Sequence, residues 1–194
     1  MSNIEVVVAH YNEDLEWTKN IKYKCNIISK SGIVIETPPN KGNEASSYLQ
    51  YIIQNYECLP DITIFVHGHR SDWHHIENMD EKINNLEFLY DDYYNINDGN
   101  VKRLIDEPES LNVMSYLMPD IEKILDLEID INKIVYKHSA QFYVTKNSIL
   151  SNDKTVYIKL YTYLMGSKVS SYWTGRVFEF IWHFIFTKNI IDKI

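Results

Sequence analysis

Residues 4–9, Ile-Glu-Val-Val-Val-Ala, form a nearly continuous β-branched run, the pattern of a strand buried on both faces of a largely parallel sheet. The run ends in His10-Tyr11-Asn12-Glu13-Asp14, a polar turn able to cap a short helix through Leu15 and Trp17. Residues 23–28 read as a second strand and 32–36 as a third extended piece, while 37–43, with two prolines and a glycine, read as a loop. Asn43 then stands as the N-cap of a helix over 44–56, in which Ala45, Tyr48, Leu49, Ile52 and Ile53 follow the i, i+3, i+4, i+7 spacing. Leu59-Pro60-Asp61 stops that helix, and 62–66 is the clearest strand in the chain. The polar stretch 78–112, rich in Asp, Asn and Tyr, predicts a helix over 80–90 and a long surface excursion. A further helix is expected after Pro119, a short strand over 142–144, and helices over 154–165 and 175–186. No repeat and no linker divides the chain. The order predicts one α/β domain over 1–194, a mostly parallel central sheet flanked by helices.

Composition narrows the classes. A length of 194 residues with 45% apolar and 13% aromatic residues suits one domain, or one domain with a small appendage, with a real core, and argues against a disordered chain. A net charge of −8, with no Lys/Arg-rich stretch, argues against a dedicated nucleic-acid binder. A few placed donors still suffice to hold a phosphate on an acidic protein. Cys25 and Cys58 make neither a disulfide framework nor a metal ligand set, so free thiols in a reducing compartment are expected. The N-terminus lacks a basic segment before its apolar run, and the most apolar stretch, 177–186, is too short to span a bilayer and carries Glu179 and His183. These features predict a cytoplasmic protein without a membrane span.

Candidate chemistry gathers at strand ends, where open α/β sheets take their ligands. The first strand runs into His10 to Asp14 and the 62–66 strand into His67-Gly68-His69-Arg70-Ser71-Asp72-Trp73-His74-His75, four histidines in nine residues. His67, His69, Asp72 and His74 suit a divalent cation such as Mn, Fe or Zn. The same cluster equally suits hydrogen bonding to a phosphate or sugar, with Arg70 as a charged clamp. Asn40-Lys41-Gly42-Asn43-Glu44 precedes a helix and makes a candidate anion cradle of amides, a glycine and a lysine. The chain has no GxxxxGK[ST] loop, no GxGxxG after its first strand and no GxSxG elbow. Glu179 and His183 are i, i+4 neighbours on an otherwise apolar helix, either a surface pair or a general base in a cleft.

Four segments together resemble a known group. They are Val6-Val7-Val8-Ala9-His10-Tyr11-Asn12-Glu13-Asp14-Leu15-Glu16-Trp17; Pro39-Asn40-Lys41-Gly42-Asn43-Glu44-Ala45-Ser46-Ser47-Tyr48-Leu49; Asn55-Tyr56 followed by Leu59-Pro60-Asp61-Ile62-Thr63-Ile64-Phe65-Val66-His67-Gly68-His69; and the pair Ala140-Gln141-Phe142-Tyr143-Val144-Thr145 with Phe178-Glu179-Phe180-Ile181-Trp182-His183-Phe184-Ile185-Phe186. The chain thereby resembles a family of uncharacterised domains from fungi, bacteria and large DNA viruses that looks related to GT-A-type glycosyltransferases. The resemblance implies a Rossmann-like, GT-A-like sheet binding a nucleotide-diphosphate sugar, with Ala9, His10, Tyr11 and Glu13 near the nucleotide. It implies Asn40, Lys41, Gly42 and Glu44 beside the donor, with His67, His69 and Arg70. Where such enzymes carry Asp-x-Asp for the Mn or Mg that bridges to the diphosphate, this chain departs from the pattern and reads His67-Gly68-His69. Glu179 resembles the late-chain base of inverting members, and Asp72 is a second candidate catalytic carboxylate. Gln141, Trp182 and His183 would line the acceptor side, for a glycan or protein-linked sugar. The expected activity is glycosyl transfer from a nucleotide sugar to a hydroxyl. The competing expectations are a non-catalytic nucleotide- or sugar-binding module and a metal-dependent hydrolase using His67, His69 and His74.

Overall fold

In the computed structural model, which describes residues 2–30, 40–71, 77–88, 92–137 and 140–188, the first apolar run is strand β1 (Ile4–His10). Successive side chains of a strand point to opposite faces. Val7 therefore enters one core while Val6 and Val8 enter another, all three without exposed surface. Strand β2 (Lys24–Ser29) pairs parallel along one edge of β1, and β3 (Ile62–His67) pairs parallel along the other. Strand β4 (Tyr93–Asn95) comes next in the chain, then β5 (Val101–Arg103) and β6 (Val135–Lys137), which form their own antiparallel ribbon. The central sheet is completed by β7 (Phe142–Thr145), in the order β2-β1-β3-β7-β4. Because β7 is antiparallel to both β3 and β4, β4 points the same way as the first three strands. The sheet is mixed and mostly parallel.

Helices cover both faces. Against Val7, Phe65, Phe142 and Val144 lie α1 (Glu44–Asn55), α3 (Pro108–Leu125), α5 (Lys154–Gly166) and α6 (Ser171–Thr187). The other face is covered by the 3₁₀ turn Glu16–Asn20, which contributes Trp17, and by Met79 and Ile83 of α2 (Met79–Asn85). A five-residue helix, α4 (Lys146–Leu150), follows β7. Trp182 sits at the centre of the larger core, fully buried, stacked on Phe186 with ring centroids 5.8 Å apart and packed against Tyr48 and Phe142.

Several expectations change at this level. The excursion over 78–112 contains β4, whose Tyr93 is buried because it packs between Phe142 and Phe186. The helix expected after Pro119 starts eleven residues earlier, at Pro108, and carries Pro119 inside it. Met114, Leu117, Met118, Ile121 and Leu125 keep one buried face across the proline, and that burial offsets the roughly 3 kcal/mol of an interior proline. The helix expected over 80–90 ends at Asn85, and the extended piece expected over 32–36 lies outside the described residues.

The last helix begins a turn before Gly175, with the Ser170 side chain accepting from the Trp173 amide at 3.5 Å. Gly175 is no helix boundary; it is a point of close approach. A Cβ there would lie 2.7 Å from Nδ2 and 2.9 Å from Cβ of Asn43. Asn43 accordingly does not cap α1 with its side chain, as its sequence position suggested, but lodges against α6 at φ 48°. An Ala for Gly exchange inside an ordinary helix stabilises by about 1 kcal/mol. Here Gly175→Ala must push the Asn43 loop outward, so the urea unfolding midpoint is expected to fall. A raised midpoint would show that the contact with Asn43 does not constrain the loop.

Candidate functional site

Parallel pairing brings the carboxyl ends of β1, β2 and β3 to one sheet edge, beside the N-terminus of α1. A cavity of about 290 Å³ opens there, lined by Ala9, His10, Tyr11, Glu13, Lys30, Asn40, Asn43, Glu44, His67 and His69. The wall is built from four separate segments.

The turn after β1 is closed by its own carboxylate. Glu13 Oε2 accepts from the Tyr11 amide at 2.7 Å and the Asn12 amide at 3.1 Å. Burial alone would raise the Glu13 pKa, but these amides and the neighbouring His69 outweigh it and hold the carboxyl below its usual range. His10 Nδ1 meets Ser29 Oγ at 3.0 Å and Nε2 meets the Glu13 carbonyl at 3.2 Å, so the ring is clamped from both nitrogens. Gly68 lets Glu13 come this close, since a Cβ would lie 2.7 Å from Oε2. The Trp17 indole donates to the Gly68 carbonyl at 2.9 Å and fixes the turn after β3 from the opposite face.

His67 and His69 each face a different carboxylate. His67 Nε2 lies 3.9 Å from Glu44 Oε2, and His69 Nε2 lies 3.6 Å from Glu13 Oε1. Both separations exceed a hydrogen bond but lie within ion-pair range once the rings are protonated. The His67 amide donates to Gln141 Oε1 at 3.2 Å, and Gln141 Nε2 donates to Asn97 Oδ1 at 2.9 Å. Gln141 therefore braces the end of β3 from within.

Glu44 and Lys30 are the costliest groups in the wall. The Glu44 side chain keeps 9% of its surface and Lys30 keeps 6%. Burial pushes the Glu44 carboxyl up to about 7, with its own amide and Lys30 opposing that rise. Burial pushes Lys30 down to about 8, against the pull of Glu44. Neither Lys30 Nζ nor Glu44 Oε1 has a hydrogen-bond partner among the described residues.

The remaining predicted residues divide by what they touch. Lys41 turns away from the cavity and donates to the Val169 carbonyl, and the Asn40 carbonyl accepts from Ser171 Oγ at 3.1 Å. Gly42, at φ 68°, lies over Leu164. The Asn40–Glu44 loop is thus seated on the start of α6 instead of presenting a lysine to an anion, and a carboxyl already occupies the α1 N-terminus. Arg70 is held by Asp80, with Nε at 3.0 Å from Oδ1 and NH2 at 3.1 Å from Oδ2. It lines an adjoining depression with Asn12, Glu13, Trp17, Gly68 and His69. Glu179 pairs with Arg176 NH1 at 3.8 Å, and Arg176 NH2 reaches Glu107 Oε2 at 3.0 Å. Gln141 and His183 are each 1% exposed and Trp182 not at all, so all three belong to the core and do not face solvent. Asp72, His74 and His75 lie outside the described residues. Among the described residues no group of three His, Cys, Asp or Glu could hold a metal ion. No described helix is long and apolar enough to cross a membrane.

Lys30 was not singled out from the sequence. It follows a half-buried strand and looks like an ordinary surface lysine until β2 is paired with β1, which sets Ser29 opposite His10.

The chain matches the model of the family described as "Protein of unknown function (DUF3431)" over residues 6–97 and 113–193, and it belongs to that family. The matched stretches contain every wall residue of the cavity. No curated protein and no solved structure gives a significant match.

The Glu44 carboxyl binds its proton more tightly in the folded chain than in the unfolded one. Its contribution to stability is therefore present below about pH 4.5 and lost as the pH rises through about 7. Glu44→Gln should remove that component, leaving a flatter dependence of the urea midpoint on pH from 4.5 to 7. An identical pH dependence in wild type and variant would mean that Glu44 ionises normally.

Proposed function

We propose that the cavity at the carboxyl ends of β1, β2 and β3 binds a nucleotide-diphosphate sugar, and that the protein is a glycosyltransferase of GT-A-like architecture. The observation that carries this reading is the make-up of the cavity wall. One cleft, at the sheet edge where α/β proteins take nucleotides, combines imidazoles and an ammonium with two carboxylates. Glycosyl transfer needs both kinds of group: donors to stabilise the leaving diphosphate and, for inversion, a carboxylate to take the acceptor proton. His67 and His69 supply the first within the wall. For the second, the cleft is lined by the carboxylates Glu13 and Glu44, whereas Glu179 is engaged by Arg176. The four-segment resemblance to GT-A-related domains supports the same reading.

A second reading, a non-catalytic nucleotide- or sugar-binding module, is favoured by one fact. Lys41 and Arg70, the expected clamps for a diphosphate, are both spent on contacts within the protein.

Isothermal titration with UDP- and GDP-sugars, in EDTA and in Mn²⁺, tests the proposal. Binding of at least one of these donors is expected, followed by release of the nucleoside diphosphate when donor and acceptor hydroxyl are both supplied. Binding that never leads to sugar transfer or hydrolysis selects the module. Absence of binding in both buffers removes the nucleotide-sugar reading altogether. Affinity that appears in Mn²⁺ and vanishes in EDTA would assign the diphosphate to a cation in place of side chains.

A further inference from the structure

Lys30 and Glu44 present an unusual pair of free valences to one cavity. Each side chain is more than nine-tenths buried, each lines the cleft, and Lys30 Nζ and Glu44 Oε1 lack hydrogen-bond partners among the described residues. Buried polar atoms are nearly always satisfied, and a buried charged atom left bare is costly. The two come from different elements, Lys30 from the end of β2 and Glu44 from the first turn of α1. Both are rigidly placed. The Lys30 amide donates to the His10 carbonyl at 2.8 Å, and the Asn40 carbonyl and Asn43 side chain of the loop leading into α1 are seated on α6.

The chemistry of the pair selects its ligand. A phosphate or carboxylate would satisfy the ammonium but is repelled by the bare oxygen of Glu44 whenever that carboxyl is ionised. A cationic ligand would satisfy Glu44 but face Lys30. A hydroxyl satisfies both, because the same oxygen donates its proton to Oε1 and accepts from Nζ. We propose that Lys30 and Glu44 form a clasp for a sugar hydroxyl, set apart from whatever holds the diphosphate. The clasp deepens the nucleotide-sugar reading and rests on it only for the nucleotide, since a free sugar carries the same group. The hydroxyl has two sources, the transferred hexose or the ribose of the nucleoside.

Removing one charge strands the other, so the informative change is the double substitution Lys30→Met with Glu44→Gln, with the unfolding transition recorded alongside. Wild type and variant are titrated with UDP-glucose, GDP-mannose, UDP, GDP, uridine and inorganic pyrophosphate, and with methyl glucoside and ribose by saturation-transfer NMR. The expected result is a loss of roughly tenfold or more for hydroxyl-bearing ligands, the size of a lost hydrogen bond to a charged group, with no loss for pyrophosphate. A loss confined to the nucleotide sugars and methyl glucoside assigns the hexose; a loss shared by UDP, uridine and ribose assigns the ribose. An equal loss for pyrophosphate makes the pair a phosphate site and overturns the clasp while leaving nucleotide binding in place. Binding of methyl glucoside or ribose that the variant abolishes, with no nucleotide bound by wild type, upholds the clasp and removes the nucleotide reading. No binding of any hydroxyl-bearing ligand to wild type overturns both. In wild type itself, the Glu44 carboxyl carbon should shift on adding the sugar that binds. An unmoved Glu44 resonance at saturation overturns the clasp even if the variant does not fold.

Discussion

Strand β1 has a parallel partner on each edge and a core on each face, with Val6, Val7 and Val8 without exposed surface. A strand so enclosed cannot slip by one residue, because every buried side chain would change face. Its register sets Ser29 of β2 opposite His10, and His67 of β3 opposite Ala9. Three polar chain segments must leave the sheet at the same edge, and the cavity is the space between them. The reversed β7 contributes from inside the sheet, where Gln141 just before it receives the His67 amide and holds the end of β3.

The cavity owes its shape to a second constraint, the seat of the Asn40–Glu44 loop on α6. Lys41, Asn40 and Asn43 all contact the 169–175 region, and Gly175 makes room for the last of them. These contacts draw the α1 N-terminus inward and bury Glu44 next to Lys30. Two charged groups leave water there without full hydrogen bonding, an arrangement that costs stability. Groups held in that condition, at a cleft and with pKa values drawn toward neutrality, are the basis on which this cleft is proposed as a binding site.

Much of the architecture is legible from local pattern. The unbroken β-branched runs of β1 and β3 encode two-sided burial, and the 3.6-residue spacing of Ala45, Tyr48, Leu49 and Ile52 encodes α1. The clustering of His10, Glu13, His67 and His69 after strands marks the sheet edge that carries the cavity. Each of these signals is contained within a dozen residues, which is the range over which periodicity and turn chemistry act.

Tertiary structure decided the rest. β4 is three residues long and is a strand only because β7 pairs with it. Pro119 sits inside α3 because a buried face continuing through it outweighs a missing amide. Gly175 reads locally as a helix boundary and serves instead as the gap that admits Asn43. Lys41 and Arg70 look like free cations until Val169 and Asp80, 128 and 10 residues away along the chain, take them up. Lys30 looks like a solvent lysine until α1 encloses it beside Glu44. A side chain's type is written in the sequence, but whether its charge faces solvent, a partner or an empty cavity depends on contacts between distant segments. Composition and spacing therefore identified the sheet and the edge that carries the cavity, and only the packing of α1 and α6 decided which residues face the cavity there.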